Sequence, residues 1–156
     1  MEELDSAVCS GNLSYPPKWT EVSTLSYLQA VFKETLRLHS TARMSLYRVV
    51  GPEGLELCGE RLPSGTNVGC FGYTAHRNEP VYGRDAGLFR PERWIEASNE
   101  EVLAMEWAGL WFGHGKHGCV GKNLTRMTVT KLIARLLIRL DISAVNVDEE
   151  LGVLPG

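Results

Sequence analysis

Apolar residues recur at helical intervals in two separated stretches of the chain. The first stretch, "SYLQAVFKETLRLH", carries four apolar residues on one helix face: Leu28, Val31, Phe32 and Leu36. This spacing predicts a helix over about Tyr27–Leu38. Ser26 and Gln29 fit a capping box at its start, so the helix is expected to begin close to Ser26.

The second stretch, "GKNLTRMTVTKLIARLLIRL", also has the periodicity of a helix. Its apolar face consists of Leu124, Met127, Leu132, Ile133, Leu136, Leu137 and Leu140. A continuous apolar face of this width is typical of a helix packed on the core. We therefore expect the stripe from Leu124 to Leu140 to be buried.

Between the two helices the pattern favours short strands and turns. "SLYRVV" (45–50) predicts a strand, the Gly–Pro–Glu–Gly run (51–54) predicts a turn, and residues 55–71 predict a hairpin punctuated by Pro63 to Gly65. Residues 72–111 are polar with scattered tryptophans and suggest a long ordered excursion with short helices. The tail from residue 141 is partly strand-like. The predicted class is mainly α with small β-sheets, α+β.

Composition excludes some classes of function. The 156 residues suffice for one domain with a core, and the formal net charge of −3 gives no reason to expect nucleic acid or an acidic membrane as partner. No window approaches the roughly 18 consecutive apolar residues of a membrane span, and the acidic N-terminus is unlike a signal peptide. Four cysteines without paired spacing favour a reducing compartment.

Residues 112–121, "FGHGKHGCVG", carry the candidate chemistry. Gly113, Gly115 and Gly118 satisfy the spacing of a dinucleotide-binding turn, but the preceding "AMEWAGLWF" is unlike the buried strand that such a turn requires. His114, His117 and Cys119 could contribute to a zinc site or a Cys–His hydrolase. For the zinc site, no second cluster of Cys or His residues lies near in sequence. For the hydrolase, no third group that would orient the histidine is evident.

A third interpretation makes Cys119 a ligand of a large, flat cofactor. A cysteine before a helix start is favoured as thiolate by the helix dipole, and neighbouring glycines allow backbone to approach a bulky ligand. Phe112 would shield the sulfur, and His117 would donate to an anionic ligand edge. A thiolate ligand of haem iron uses all of these features.

The same residues resemble the haem-binding motif of the cytochrome P-450 family, F-x-x-G-x-[R/H]-x-C-x-G. "ETLR" (34–37) resembles the family's E-x-x-R, and "FRPERW" (89–94) resembles its Pro-Glu-Arg segment, in the family's order and approximate spacing. The likeness covers nearly the whole chain and is greatest to fungal members. It implies that residues 1–156 are the C-terminal haem-binding part of the family's α+β fold.

The resemblance implies roles for individual residues. Cys119 would be the axial ligand of the iron, and His117 and Arg48 would contact the haem propionates. The other cofactor-binding positions would be Phe112, Gly113, Gly115 and Gly121. Glu34, Arg37 and Arg93 would form a structural lock. The segment from Thr41 to Leu46 would line the substrate pocket, with Thr41, Ala42, Arg43, Met44 and Ser45 as candidate residues.

The implied activity is that of a monooxygenase with haem b, which inserts one oxygen atom from O₂ into a small organic substrate with electrons from an NADPH-dependent reductase. Full-length relatives are anchored in the endoplasmic reticulum membrane, so an intracellular location is expected. The long helix that carries the family's acid–alcohol pair lies upstream of the resembling segments, so we expect residues 1–156 alone to be inactive. The alternative is a non-catalytic remnant that acts as a helical scaffold or binding module without cofactor.

Simpler interpretations remain for single residues. Glu34 and Arg37 alone could be a surface ion pair worth about 0–1 kcal/mol. His76 is expected to be a polar loop residue. The tryptophans at positions 94, 107 and 111 are expected to pack in the protein rather than to form a cofactor cage.

Overall fold

The computed structural model describes residues 2–41 and 44–142. The helices in these ranges are α1 (Glu2–Cys9), α2 (Trp19–Val22), α3 (Ser26–Leu38), α4 (Gly72–Ala75), α5 (Glu79–Tyr82), α6 (Arg93–Glu96), α7 (Asn99–Ala108) and α8 (Lys122–Leu137). The strands are β1 (Ser45–Val49), β2 (Leu55–Leu57), β3 (Glu60–Leu62) and β4 (Asn67–Phe71). The predicted class, mainly α with small antiparallel sheets, is confirmed.

Helix α3 occupies the predicted segment, but its first turn is capped in an unexpected way. Leu25 is the N-cap residue and provides no side-chain cap, so the predicted capping box of Ser26 and Gln29 is wrong. The carboxylate of Glu3, in α1, instead accepts the N–H groups of Tyr27 and Leu28 at 2.9 and 3.0 Å. A distant acid thus replaces the local cap, because it satisfies the same free donors.

Two hydrophobic clusters lie on either side of α3. The first contains Leu4, Leu13, Val22, Leu25, Leu28 and Ala134 and joins the N-terminal helices to α8. The second contains Ala30, Tyr82, Ala86, Trp94 and Met105 and joins α3 to α5, α6 and α7. Gln29 adds a polar tie to α8, because its Oε1 accepts the Nε–H of Arg126 at 2.8 Å. Helix α3 is therefore the element around which the rest is arranged.

The strands form two separate two-stranded antiparallel sheets. β1 pairs with β4, which places Arg48 opposite Val68, and β2 pairs with β3. The predicted strand at 45–50 and the turn at 51–54 are confirmed, the turn by a 3.0 Å hydrogen bond from the Gly54 N–H to the Gly51 carbonyl. The hairpin predicted over 55–71 closes earlier, at residue 62, because β4 returns to β1 instead.

Helix α8 begins at Lys122, directly after the glycine loop, but most of its apolar residues are not in the core. Thr130 and Ala134 are fully buried, and Ile133 and Leu137 pack partly against the first cluster. The exposed apolar residues of α8 and the turn after it are Leu124, Leu132, Leu136 and Leu140. The prediction that the whole stripe is buried is therefore wrong, since only one side of α8 is covered by the described residues.

Helices α4 to α7 confirm the expected short helices between residues 72 and 111. Ser98 caps α7 with the only local capping box of a long helix in the described ranges: its hydroxyl accepts the Glu101 N–H, and Glu101 reaches back to the Ser98 N–H. The strand-like tail predicted after residue 141 lies mostly outside the described residues, which end at residue 142.

Candidate functional site: the cysteine loop and the buried ion-pair lock

A single buried carboxylate, that of Glu34, joins polar residues of α3 to those of the segment after α5. Glu34 is 0% exposed, and four residues donate hydrogen bonds to it: Arg37, Arg90, Arg93 and Trp94. The Arg93 Nε contact spans 59 positions of the chain at 3.0 Å. The simpler interpretation of Glu34 and Arg37 as a surface pair is wrong, because both side chains are fully buried.

The two arginines of this lock have their remaining donors satisfied by backbone. Arg37 donates to the carbonyls of His76, Ala86 and Leu88 at 2.5–3.0 Å. Arg93 also meets the carboxylate of Asp85 at 3.0 Å and donates to the carbonyls of Tyr82, Asp85 and Leu88. No buried polar side-chain atom in the described ranges lacks a partner. The lock therefore ties α3 to the 82–93 segment with its buried charges compensated.

Electrostatics at Glu34 favours the carboxylate. Burial is the largest influence and by itself raises the pKa of Glu34. Hydrogen bonds from Arg37, the Arg90 N–H and Trp94 outweigh it, so the pKa of Glu34 lies below its ordinary value. Asp85, hydrogen-bonded by Arg90 and Arg93, likewise has a lowered pKa. Both carboxylates are thus ionised at neutral pH, as a buried ion-pair network requires.

The cysteine loop is closed by backbone hydrogen bonds. The Cys119 N–H donates to the Phe112 carbonyl at 2.7 Å, and the Gly113 N–H donates to the Leu110 carbonyl at 2.9 Å. Gly113 has φ of +68°, and a Cβ there would lie 3.2 Å from the His117 carbonyl oxygen. Only glycine suits this position, because the backbone is left-handed and the loop passes close to itself. Cys119 is exposed and precedes Gly121, the N-cap of α8.

Several predicted cofactor contacts line one cavity of about 460 Å³ between β1 and the cysteine loop. The lining residues are Thr41, Leu46, Arg48, Trp111, Phe112, Gly113, His117, Cys119 and Thr125. One thiol and two basic side chains therefore face the same space as two aromatic rings. Trp111 and Thr125 were not predicted for this site, although Thr125 stands close in sequence to Cys119.

Other predicted residues lie away from this cavity. Gly115 and Gly121 are not among its lining residues, although a Cβ on Gly121 would contact the Cys119 sulfur at 3.8 Å. Met44 is exposed and Ser45 begins β1, and neither lines the cavity. Ala42 and Arg43 lie outside the described residues. Of the described residues in the predicted substrate segment, the structure brings Thr41 and Leu46 to the cavity.

The two rival interpretations of the loop find little support in its geometry. No strand precedes the loop: α7 ends at Ala108, and Gly115–His117 is a 3₁₀ turn, so the dinucleotide-binding context is missing. His114 does not line the cavity that contains Cys119 and His117, and its Nε2 lies 2.9 Å from the Gly109 carbonyl oxygen. The described residues hold no group of three His, Cys, Asp or Glu side chains placed to bind a metal.

His76 is the functional candidate that sequence reasoning missed. The expected position in a loop is confirmed, since His76 lies in the turn after α4, but the side chain is buried, at 1% exposed. Its Nε2 accepts the Leu110 N–H at 2.9 Å, and its ring lies 5.2 Å from that of Trp111. The surrounding sequence, "HRNEPVYG", gives no indication that the histidine is buried. Its burial results from contacts with residues 34 positions away.

The tryptophans divide between packing and exposure. Trp94 is buried in the second cluster and Trp111 is packed against it, which confirms the packing expectation for these two. Trp107 is 78% exposed and lies beside the His114 ring, so the expectation is wrong there.

A cysteine loop over a buried Glu–Arg–Arg lock, on a mainly helical scaffold with small sheets, is typical of haem-thiolate proteins. The chain belongs to the cytochrome P-450 family, whose family model matches residues 1–152. It is 88% identical over 109 residues to the cytochrome P-450 monooxygenase easK of Aspergillus fumigatus, an alignment that covers 70% of this chain and 32% of that protein.

Two further relatives extend the likeness across most of the chain. The cytochrome P-450 monooxygenase esdpH of Penicillium shearii is 42% identical over 145 residues, 92% of this chain and 29% of that protein. Pisatin demethylase of Fusarium vanettenii is 38% identical over 141 residues, 90% of this chain and 26% of that protein. The chain thus spans about a third or less of the length of these relatives, which agree with the predicted likeness to fungal members.

Family membership implies a haem cofactor, and the cavity fits one by its donor set. Cys119 offers a sulfur ligand that suits iron, and Arg48 and His117 offer hydrogen-bond donors for carboxylates. Trp111 and Phe112 supply apolar surface. None of the helices within residues 2–41 and 44–142 combines the length and apolar character needed to cross a bilayer.

Proposed function

We propose that this chain is the haem-binding part of a cytochrome P-450 monooxygenase that carries haem b. The observation that supports it most directly is the shared cavity of Cys119, Arg48 and His117 beside the closed cysteine loop. A family match alone would not bring a thiol and two basic groups from β1 and the loop to one space. The non-catalytic scaffold is the alternative, and it predicts no haem binding.

The residues have separable roles in this proposal. Cys119 holds the iron, and the 2.7 Å hydrogen bond from its N–H to the Phe112 carbonyl keeps its backbone in place. Arg48 and His117 would hold the propionates. In the structure Arg48 Nη1 donates to the Tyr47 carbonyl at 2.7 Å, a partner that a propionate carboxylate would replace. Phe112 and Trp111 would supply apolar surface beside the sulfur. When bound, the haem supplies oxygen activation for insertion of one oxygen atom into an organic substrate.

The partner and the substrate are proposed from the same surfaces. Lys33, Lys122 and Arg126 line a second cavity of about 280 Å³ behind the loop, which shares Trp111 and Phe112 with the first. Lys33 is paired there with Glu106 at 2.6 Å, so the proposal of a partner surface rests on Lys122 and Arg126. Cations placed there suit an acidic partner surface, which supports an NADPH-dependent reductase as the electron donor. Thr41, at the opposite cavity, supports the 41–45 segment as part of the pocket for a small organic substrate.

The proposal is tested by the carbon monoxide difference spectrum of the reduced, haem-reconstituted protein. We expect the red-shifted Soret band of a thiolate ligand, and we expect Cys119→Ser to lose it. Cys70→Ser is the matched control, because Cys70 is also exposed but lies on β4. If Cys119→Ser keeps the band and Cys70→Ser loses it, the ligand assignment is wrong. If the wild-type protein retains no haem, the result supports the non-catalytic scaffold.

Activity of residues 1–156 alone stays a prediction. Cys119 would hold the iron, and none of the family motifs matched in this chain carries the acid–alcohol pair that delivers protons in the family. We therefore expect no product from the reconstituted polypeptide with reductase and NADPH. Substrate-dependent, reductase-coupled product formation by a monodisperse preparation would contradict this expectation.

A further inference from the structure

The start of the cysteine loop is connected to the buried lock by one histidine. His76 follows α4, and its backbone carbonyl accepts the Nη1–H of Arg37 at 2.7 Å. Its side chain points the other way and accepts the Leu110 N–H with Nε2 at 2.9 Å. Lock and loop are thus joined through the two ends of a single residue.

A second route joins the same two parts through aromatic rings. The His76 ring lies 5.2 Å from that of Trp111, and Trp111 meets Trp94 edge to face at 6.2 Å. Trp94 Nε1 then donates to Glu34 at 2.9 Å. The two routes form a closed ring of contacts, so a displacement of His76 would shift both Leu110 and Trp111.

The chemistry of the imidazole suits a fixed acceptor. A backbone N–H can only donate, so Nε2 is the unprotonated nitrogen and the ring proton is on Nδ1. Burial is the main cause that lowers the pKa of His76 to about 4, helped by the charges of Arg37 and Arg77. The ring is therefore neutral near pH 7 and keeps its acceptor lone pair.

The loop carries the effect of this hydrogen bond to the sulfur. Leu110 is followed by the turn in which its carbonyl accepts the Gly113 N–H, and Phe112 within that turn accepts the Cys119 N–H. Trp111 and Phe112 also line the cavity that contains Cys119. We propose that His76 is a positioning residue that holds the start of the cysteine loop so that Cys119 is presented to its ligand. This inference rests on the proposed function.

Two substitutions separate the hydrogen bond from the packing. His76→Phe keeps a ring against Trp111 but removes the acceptor, which leaves the Leu110 N–H without its partner. His76→Gln keeps an acceptor oxygen at about the place of Nε2. His39→Gln is the matched control, because His39 is exposed at the end of α3.

The first readout is amide hydrogen exchange in residues 1–156 without haem. We expect His76→Phe to speed exchange at Leu110, Gly113 and Cys119 by roughly tenfold, as loss of one buried hydrogen bond implies. His76→Gln should restore most of the protection, and His39→Gln should change nothing there. Equal exchange in wild type and His76→Phe would overturn the proposal. So would a uniform loss of protection that also reaches Ala134, since a purely structural role predicts that result.

The second readout is the carbon monoxide difference spectrum of the haem-loaded variants. We expect His76→Phe to lower the fraction of haem with the red-shifted band, and His76→Gln to recover it. The two readouts keep the failures distinct. If wild type itself shows no such band, the proposed function fails, while the exchange result still decides whether His76 positions the loop. A normal band in His76→Phe with fast Leu110 exchange overturns the link to Cys119.

Discussion

At the residue scale, the chain depends on charged groups that are buried and compensated. Glu34, Arg37 and Arg93 form one network in which each charge has a counter-charge and its hydrogen bonds. Such a network adds little net stability compared with apolar packing, but it becomes costly when one member is removed. Single substitutions within the network should therefore lower the free energy of unfolding far more than the loss of a surface ion pair does.

Glu34→Gln should lower the free energy of unfolding by about 3–5 kcal/mol, because it leaves the buried Arg37 without its carboxylate and Arg93 with that of Asp85 alone. Urea unfolding of residues 1–156 measures the effect. Arg93→Ala should cost a similar amount, and the double variant should cost much less than the sum, since both remove the same network. Lys18→Ala is the control for an exposed pair, at 3.8 Å from Glu21, and should cost below about 1 kcal/mol. Small, additive losses for the lock would contradict its burial.

His76 should make stability fall in acid. Its pKa is about 4 when folded, against 6.5 for the free side chain, so the unfolded chain binds a proton first as pH drops. Stability contributed by the neutral ring is present above pH 6.5 and is lost between pH 6.5 and 4, by about 3 kcal/mol in total.

The measurement is the difference in unfolding free energy between wild type and His76→Phe across that interval, since the phenylalanine cannot titrate. The difference should shrink as pH falls from 6.5 to 4. A His76→Phe difference that does not depend on pH would show that the imidazole is not buried in its neutral form.

At the element scale, α3 depends on a helix that precedes it by many residues. The periodicity of Leu28 and Phe32 was enough to predict α3 from sequence. Its N-terminal cap was not predictable, because the acceptor is Glu3, 24 positions before Tyr27. A sequence pattern detects only local caps, so it indicated Ser26 instead.

Glu3→Gln should destabilise the chain by about 1 kcal/mol, because a neutral amide is a weaker acceptor for the free N–H groups at the start of α3. Glu2→Gln is the control: Glu2 is also in the first turn of α1 and is exposed. Thermal unfolding followed by circular dichroism at matched concentration gives the comparison. Equal melting temperatures for the two variants would show that Glu3 does not stabilise the start of α3.

At the scale of the whole molecule, the described residues leave apolar surface uncovered. The exposed side of α8 carries Leu132 and Leu136, and Arg135 between them stacks on the ring of Tyr15 at 5.6 Å. The predicted burial of these leucines was wrong because periodicity shows which residues share a face, and not whether another element covers that face.

Residues 1–156 should therefore self-associate in dilute buffer, since contiguous exposed apolar surface promotes association. Sedimentation velocity should show a species distribution that shifts with protein concentration. Leu132→Gln combined with Leu136→Gln should reduce the association severalfold, as about 1 kcal/mol or more per buried leucine implies. Lys131→Gln is the control on the same helix. A monodisperse monomer at all concentrations would contradict this prediction.

The sequence by itself determined the elements and the chemistry that depend on local pattern. Helix α3 follows from its apolar spacing, β1 from its branched and aromatic run, and the candidate ligand Cys119 from the motif around it. These are properties of neighbouring residues, which is why they could be read without a structure. The i,i+3 spacing likewise placed Glu34 and Arg37 together.

Only the tertiary structure decided which of these groups are buried and what meets them. Glu34 contacts Arg93 across 59 positions, and His76 contacts Leu110 across 34. Burial turns an ordinary helix pair into a network that cannot lose a member, and a loop histidine into a neutral acceptor, since desolvation changes the free energy of every charged form. Such effects depend on which distant segments pack together, and no local pattern carries that information.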